Sequence, residues 1–244
     1  GSHGIGRAIA LSLADEGCNV AICARNEERL EEVALEIKNK GVKSLAIPVD
    51  VLQGTRPIEY SIYNVISEFG HLDILINNVG GGGRWGSEVW HETPINTWLE
   101  VYQKNAGAAV KFTMYALPYM LKQQWGRVIT ISSIYGKEAG GRPWFNMAKV
   151  AEISLMKTMS TNPEYKNITF NSVCPGAIMI PDTGWDKEQK ENPDKFQQFI
   201  DTIPMRRMGN PEDVANLVTF LCSDKADYIS GACITCDGGI TRSF

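Results

Sequence analysis

The residues best suited to chemistry lie in one short stretch. A β-type run at 127–131 ends in Ser132 and Ser133. A loop rich in Gly and Pro follows, and a helix then opens that carries Phe145 and, four residues later, Lys149. Residues four apart on a helix share a face. A hydroxyl, a ring and an ammonium can therefore converge beside a strand tip. Such a convergence suits general acid–base chemistry, but Phe145 adds no titratable proton to it.

A second group opens the chain. Gly1-Ser2-His3-Gly4-Ile5-Gly6 runs directly into a helical pattern, with Ile5, Ile9 and Leu13 on one face and Gly17 closing it. Glycines ahead of a helix N-terminus let a diphosphate approach free N–H groups and the positive dipole end. Residues 19–23 read as a short buried strand, followed by Arg25. Dinucleotide folds that prefer NAD often place an acid there. Arg25 instead suits a 2′-phosphate, although a solvated surface Arg is the plainer reading.

The elements that must position these groups alternate along the chain. Asn26 caps a helix with Leu30, Val33, Ala34 and Ile37 as its core stripe. Residues 44–51 form the third strand and its exit, and Pro57 opens a helix with Ile58, Ile62, Val65, Ile66 and Phe69 inward. The fourth strand, 72–76, runs into Asn77-Asn78-Val79-Gly80 and a glycine run, 81–83, beside Arg84 and Trp85. A long helical stretch spans 94–124, with small residues at 106–109 that allow close packing. Asn105 within it is a mediocre helix former. The sixth strand, 167–173, precedes Cys174-Pro175-Gly176-Ala177-Ile178. Residues 182–205 are long enough between strand and helix to form a substrate lid. A helix through Leu221 and a strand near the C-terminus end the pattern. No repeat or composition break divides residues 1–244. One doubly wound α/β Rossmann-type domain with a parallel sheet is the economical architecture.

Bulk properties narrow the partners. The chain has 244 residues, 43% of them hydrophobic and 21% charged, as in ordinary globular domains. A net charge of −4 without a basic run argues against nucleic acid and anionic membranes. No apolar run reaches the roughly 18–20 residues of a membrane span, and no signal peptide is visible. The six cysteines mostly sit in apolar patterns, as buried thiols of a reducing, cytoplasmic setting would. Cys233 and Cys236 have C-x-x-C spacing but no second ligand pair, so no metal site is expected.

Taken together and in order, these motifs resemble the short-chain dehydrogenase/reductase family. The runs at 204–214 and 228–239 look like its bacterial 3-oxoacyl-carrier-protein reductase branch. Gly4 and Gly6 match the last two glycines of Thr-Gly-x-x-x-Gly-x-Gly, and 77–80 resembles Asn-Asn-Ala-Gly. In that register the first glycine and first strand precede residue 1, and the protein is expected to extend further N-terminally. The resemblance implies a cofactor site of Ser2, His3, Gly4, Ile5, Gly6, Arg25, Asp50, Val51, Asn78, Gly80, Lys149, Pro175, Gly176 and Ile178. NADP(H) is favoured, with NAD(H) left open. The family's Thr two residues past Ile178 is here Ile180. In the resembled mechanism Ser133 polarises a carbonyl, Asn105 extends a proton relay, and Lys149 binds ribose and tunes a tyrosine. That tyrosine's position holds Phe145.

The expected activity is an NADP(H)-dependent interconversion of a carbonyl and a secondary alcohol, weakened by the missing phenol. Phe145 is either an engineered block or a native feature of a diverged protein. The alternative is a non-catalytic nucleotide-binding or scaffolding protein on the same fold. Arg84, Trp85, Trp144 and Trp185 are the candidate contacts to a small-molecule substrate, and the resemblance implies a homotetramer.

Overall fold

The computed structural model describes residues 1–243. Helix α1 (Gly4–Asp15) leads into strand β1 (Val20–Ala24), helix α2 (Glu27–Lys38), strand β2 (Ser44–Pro48), helix α3 (Arg56–Phe69) and strand β3 (Ile74–Asn77). Helices α4 (Ile95–Tyr102) and α5 (Ala108–Gln123) are joined by a π-helical turn, Gln103–Gly107. Then come strand β4 (Gly126–Ile131), helix α6 (Pro143–Ser160), strand β5 (Ile168–Pro175), helices α7 (Gly184–Glu191), α8 (Pro193–Thr202) and α9 (Pro211–Cys222), and strand β6 (Cys233–Cys236).

All pairings are parallel. Strands run in the order β3-β4-β5-β6, and β1 pairs with β2 separately. Every residue of β4 and β5 is buried, because helices cover both faces of a parallel sheet. Alternation sorts the side chains. Ile129, Ile131 and Val173 face α1, α2 and α9, whereas Val128, Ile168 and Phe170 face α3, α5 and α6. The α2 stripe Leu30, Val33, Ala34 and Ile37 is buried as its period requires, and the Asn26 side chain accepts from Arg29 N at 2.8 Å.

The sequence leads to one sheet, and the described residues form two. Between β1 and β3 lies a cavity of about 390 Å³, lined by Val20–Cys23 on one side and Ile74–Asn77 on the other. Each of these two strands has one sheet neighbour. Asn77 steadies the β3 side, its amide donating to Thr113 Oγ1 at 3.1 Å and Thr130 Oγ1 at 3.3 Å.

Two expectations about helices change. Residues 94–124 are not one regular helix, because the π turn interrupts them at Asn105. The small residues Ala106, Ala108 and Ala109 are buried within the chain itself, so their close packing is internal. The 182–205 stretch holds two helices whose apolar faces meet around Ile203, with Trp185 stacked on Phe199 at 4.3 Å. Among the described residues, no helix is long and apolar enough to cross a membrane.

Phe170 fills the centre of the sheet's α5/α6 face and is fully buried. Phe170→Ala should lower the unfolding free energy by about 3–5 kcal/mol. A denaturant titration with unchanged slope and a lower midpoint would register it.

Candidate active site

Parallel strands bring their C-terminal ends to one edge, where ligands of open α/β sheets bind. The ends of β3, β4 and β5 deliver Asn78–Gly80, Ser132–Ser133 and Gly176–Ile178 to that edge. The N-terminus of α1 meets them. Gly4 has φ +54, a left-handed conformation that favours glycine, and a Cβ there would lie 2.9 Å from Ile180. A Cβ on Gly6 would lie 2.5 Å from the Asn78 side chain. The His3 side chain makes no capping bond, so the first N–H groups of α1 remain available. A cradle that only glycine permits, at an uncapped helix N-terminus, fits the diphosphate of a dinucleotide. Arg25 stands exposed just past β1. Asp50 is half-buried and accepts from Leu52 N at 3.0 Å, while Val51 is buried. Ile180 places its Cδ1 methyl group against Gly4.

Asn105 organises the other half of the edge. It is fully buried. Its amide donates to Val101 O at 2.7 Å and Gly81 O at 2.8 Å, and its carbonyl accepts from Gly81 N at 3.1 Å. The π turn thus anchors the glycine run through a side chain. Gly80 lies between Asn105 and Lys149, since a Cβ on it would sit 2.7 Å from Asn105 Oδ1 and 3.1 Å from Lys149 Nζ.

Helix α6 supplies the ring and the ammonium. Phe145 is half-buried, with Gly83 packed against its ring, and Lys149 Nζ stands 5.6 Å from the ring centre. Ser133 is half-buried and accepts from Tyr135 N at 3.2 Å. Ser132 turns away, donating to Lys149 O at 2.9 Å. Lys149 itself is buried and directed inward, 3.1 Å from Ile131 O and 3.0 and 3.2 Å from the two carboxylate oxygens of Glu152. Burial pushes the Glu152 carboxyl above its ordinary value, against the pull of Lys149's charge and hydrogen bond. Sequence reasoning passed over Glu152. The signal was its i+3 spacing from Lys149, which puts both on one face of α6.

The four candidate substrate contacts separate. Arg84 reaches α7, with its guanidinium 5.6 Å over Trp185. Trp85 lies beneath Lys104 Nζ at 4.4 Å, and burial leads the causes that lower the Lys104 ammonium's pKa. Trp144 is a correction. It is 1% exposed, packs edge-on against Trp98 at 5.2 Å and donates to Gly82 O at 3.3 Å. It braces the glycine run from below and offers a substrate no face. Arg142, missed by sequence, clamps the same loop from the start of α6 through Gly86 O at 3.2 Å and Glu88 at 2.7 Å.

The cysteines resolve differently from their spacing. Cys233 faces Cys174 across β5 and β6 at 3.2 Å, and Cys236 donates to Asp213 O. The bond from Cys174 lowers the Cys233 thiol to about 7 and raises its partner's.

Fold and site together define an α/β protein whose uncapped, glycine-lined α1 N-terminus opens on the edge formed by the strand ends. A family model described as enoyl-(acyl carrier protein) reductase matches residues 1–241. A 3-oxoacyl-(acyl-carrier-protein) reductase of Staphylococcus epidermidis is 36% identical over 241 residues, covering 98% of this chain and 95% of the relative. A 7alpha-hydroxysteroid dehydrogenase of Escherichia coli is 29% identical over 237 residues, covering 97% and 89%. Among solved structures, L-sorbose reductase from Gluconobacter frateurii complexed with NADPH and L-sorbose superimposes with a TM-score of 0.89 at 32% identity, covering 100% and 94%. The chain belongs to the short-chain dehydrogenase/reductase family.

Asn105→Ala should leave the half-buried N–H and carbonyl of Gly81 without their side-chain partner and cost about 1–3 kcal/mol. Amide exchange at Gly81 should quicken markedly, while that of β4 stays slow.

Proposed function

We propose that this chain is an NADP(H)-binding carbonyl/secondary-alcohol oxidoreductase scaffold in which Phe145 withholds the proton donor. The observation that carries the reading is the position of Phe145. It lies on α6 beside Lys149 and under Gly83, at the edge that also gathers Ser133, Asn105 and the α1 cradle. Ser2, His3, Gly4, Ile5 and Gly6 would cradle the diphosphate, with Asn78 and Gly80 beside it. Arg25 would pair with a 2′-phosphate, and Asp50 and Val51 would border the adenine. Pro175, Gly176 and Ile178 would flank the nicotinamide. When bound, that cofactor supplies or accepts a hydride. Ser133 would hold the substrate oxygen by a hydrogen bond, Asn105 keeps the glycine run in place, and Lys149 lies beneath the ring. No group at position 145 can pass a proton to the substrate oxygen.

Residues 182–205 would form a lid over the substrate, latched by Arg84 against Trp185. Trp85 and Trp185 present flat faces and Arg84 a cation, which suits a carbonyl compound bearing an aromatic or anionic portion. The relatives support the reaction class, and their names span oxoacyl, steroid and sugar substrates. A homotetramer and a cytoplasmic location complete the proposal. The inward turn of Lys149 favours a second reading, a nucleotide-binding protein without turnover.

Phe145→Tyr should raise NADPH oxidation with a panel of 3-oxoacyl thioesters, keto sugars and aromatic ketones by about 10²–10⁴-fold. Binding of NADPH by both forms with no gain on any carbonyl would favour the second reading. Arg25→Ala should weaken NADPH binding by about 10–100-fold, the value of hydrogen bonds to a charged group, and leave NADH binding nearly unchanged. Equal losses for both cofactors would remove Arg25 from the 2′-phosphate.

A further inference from the structure

Lys149 and Glu152 form a closed unit beneath the site. They lie one turn apart on α6, with side chains 5% and 1% exposed. An ammonium has three N–H groups. One faces Ile131 O at 3.1 Å, and the carboxylate oxygens stand at 3.0 and 3.2 Å. The main chain of the same turn is tied down as well, because Ser132 donates to Lys149 O. The side chain therefore has little freedom to swing outward toward a ribose or a phenol. Beside the ammonium stand the uncharged Gly80 after β3 and Asn105 in the π turn, and Ser132 holds the lysine's own carbonyl.

A buried cation lowers the pKa of a nearby acid through its net field. With a carboxylate 3.0 Å away, that field becomes a dipole and falls off faster with distance. The ring of Phe145 stands 5.6 Å from the ammonium, farther than the 3.0 Å that separates the ammonium from the carboxylate. A phenylalanine has no acid to tune, so an internally compensated lysine is consistent with the ring that is present.

We propose that Glu152 is a positioning residue that holds Lys149 inward and cancels its charge at position 145. It follows that Phe145→Tyr restores a phenol but not a strongly acidified one. This rests on reading position 145 as the proton-donor position, and it adds the group that governs any donor placed there.

The test is an ultraviolet difference titration of tyrosinate, comparing Phe145→Tyr proteins with matched proteins that keep Phe145, so that the eight native tyrosines cancel. In Phe145→Tyr alone the added phenol should titrate near its unperturbed value of about 10. Adding Glu152→Gln should lower it by about one unit or more, as an uncompensated ammonium does. A second variant covers the case in which an unpaired Lys149 fails to fold. Buried pairs tolerate replacement by apolar residues of similar volume, so Phe145→Tyr/Lys149→Met/Glu152→Leu should fold, with its phenol where Phe145→Tyr alone has it. A phenol already depressed in Phe145→Tyr, or one that rises when the pair is removed together, would overturn the proposal. The titration reads position 145 without turnover. Absence of carbonyl reduction would therefore count against the functional reading alone.

Discussion

The site depends on the parallel register of β3, β4 and β5. Because all three strands run the same way, their C-terminal ends share one edge, and the residues after them meet without any long loop. Helices cover both faces of this sheet, so most of its side chains are apolar, with Arg127, Thr130, Thr169, Asn171 and Ser172 buried among them. The strand ends are where groups that a ligand can reach gather. Asn77, Asn78, Gly80, Ser132, Ser133 and Gly176 are all found there. The α1 N-terminus is brought to the same edge by packing on α9, through Ala10, Leu13, Val214 and Val218.

Around that edge, the supports for the glycine run come from unexpected directions. Asn105 holds Gly81 from a π turn, Trp144 holds Gly82 from α6, and Arg142 holds Gly86 and Glu88. A loop rich in glycine has high conformational entropy in isolation. Three separate tethers offset it and set the loop against the Phe145 ring.

The fold was legible where a period dominates. The α2 stripe, the Asn26 cap and the strand–helix alternation follow from local rules and hold in the structure. The π turn was not legible, because its residues continue a helical pattern and one inserted residue leaves little trace in it. Trp144 was misread as a substrate contact because it adjoins Phe145. Successive helix residues turn by about 100°, so one faces the core while the other faces the site. Glu152 was passed over since a charged residue is solvent-facing by default, and only its i+3 relation to a buried lysine argues otherwise. The order in which the strands pair depends on contacts distant in sequence, which no local pattern encodes. The Gly4–Gly6 stretch and the Ser133, Phe145 and Lys149 set were singled out through the family resemblance, since the glycine spacing is a weak signal by itself.

Phe145 and Glu152 are chemically consistent with one another: a ring without an acid sits beside a lysine paired with a carboxylate 3.0 Å away. The account's central claim is that the dinucleotide cradle is intact and that what is missing is confined to proton transfer. Fluorescence titration with NADPH tests this most directly, on the chain as it stands and on Phe145→Tyr. The account predicts saturable binding by both, with affinities within about threefold, under 1 kcal/mol. Failure of the Phe145 chain to bind NADPH, while the tyrosine-substituted chain binds it, would show that the ring disrupts the cofactor site itself. Failure of both would show that the cradle is not a dinucleotide site.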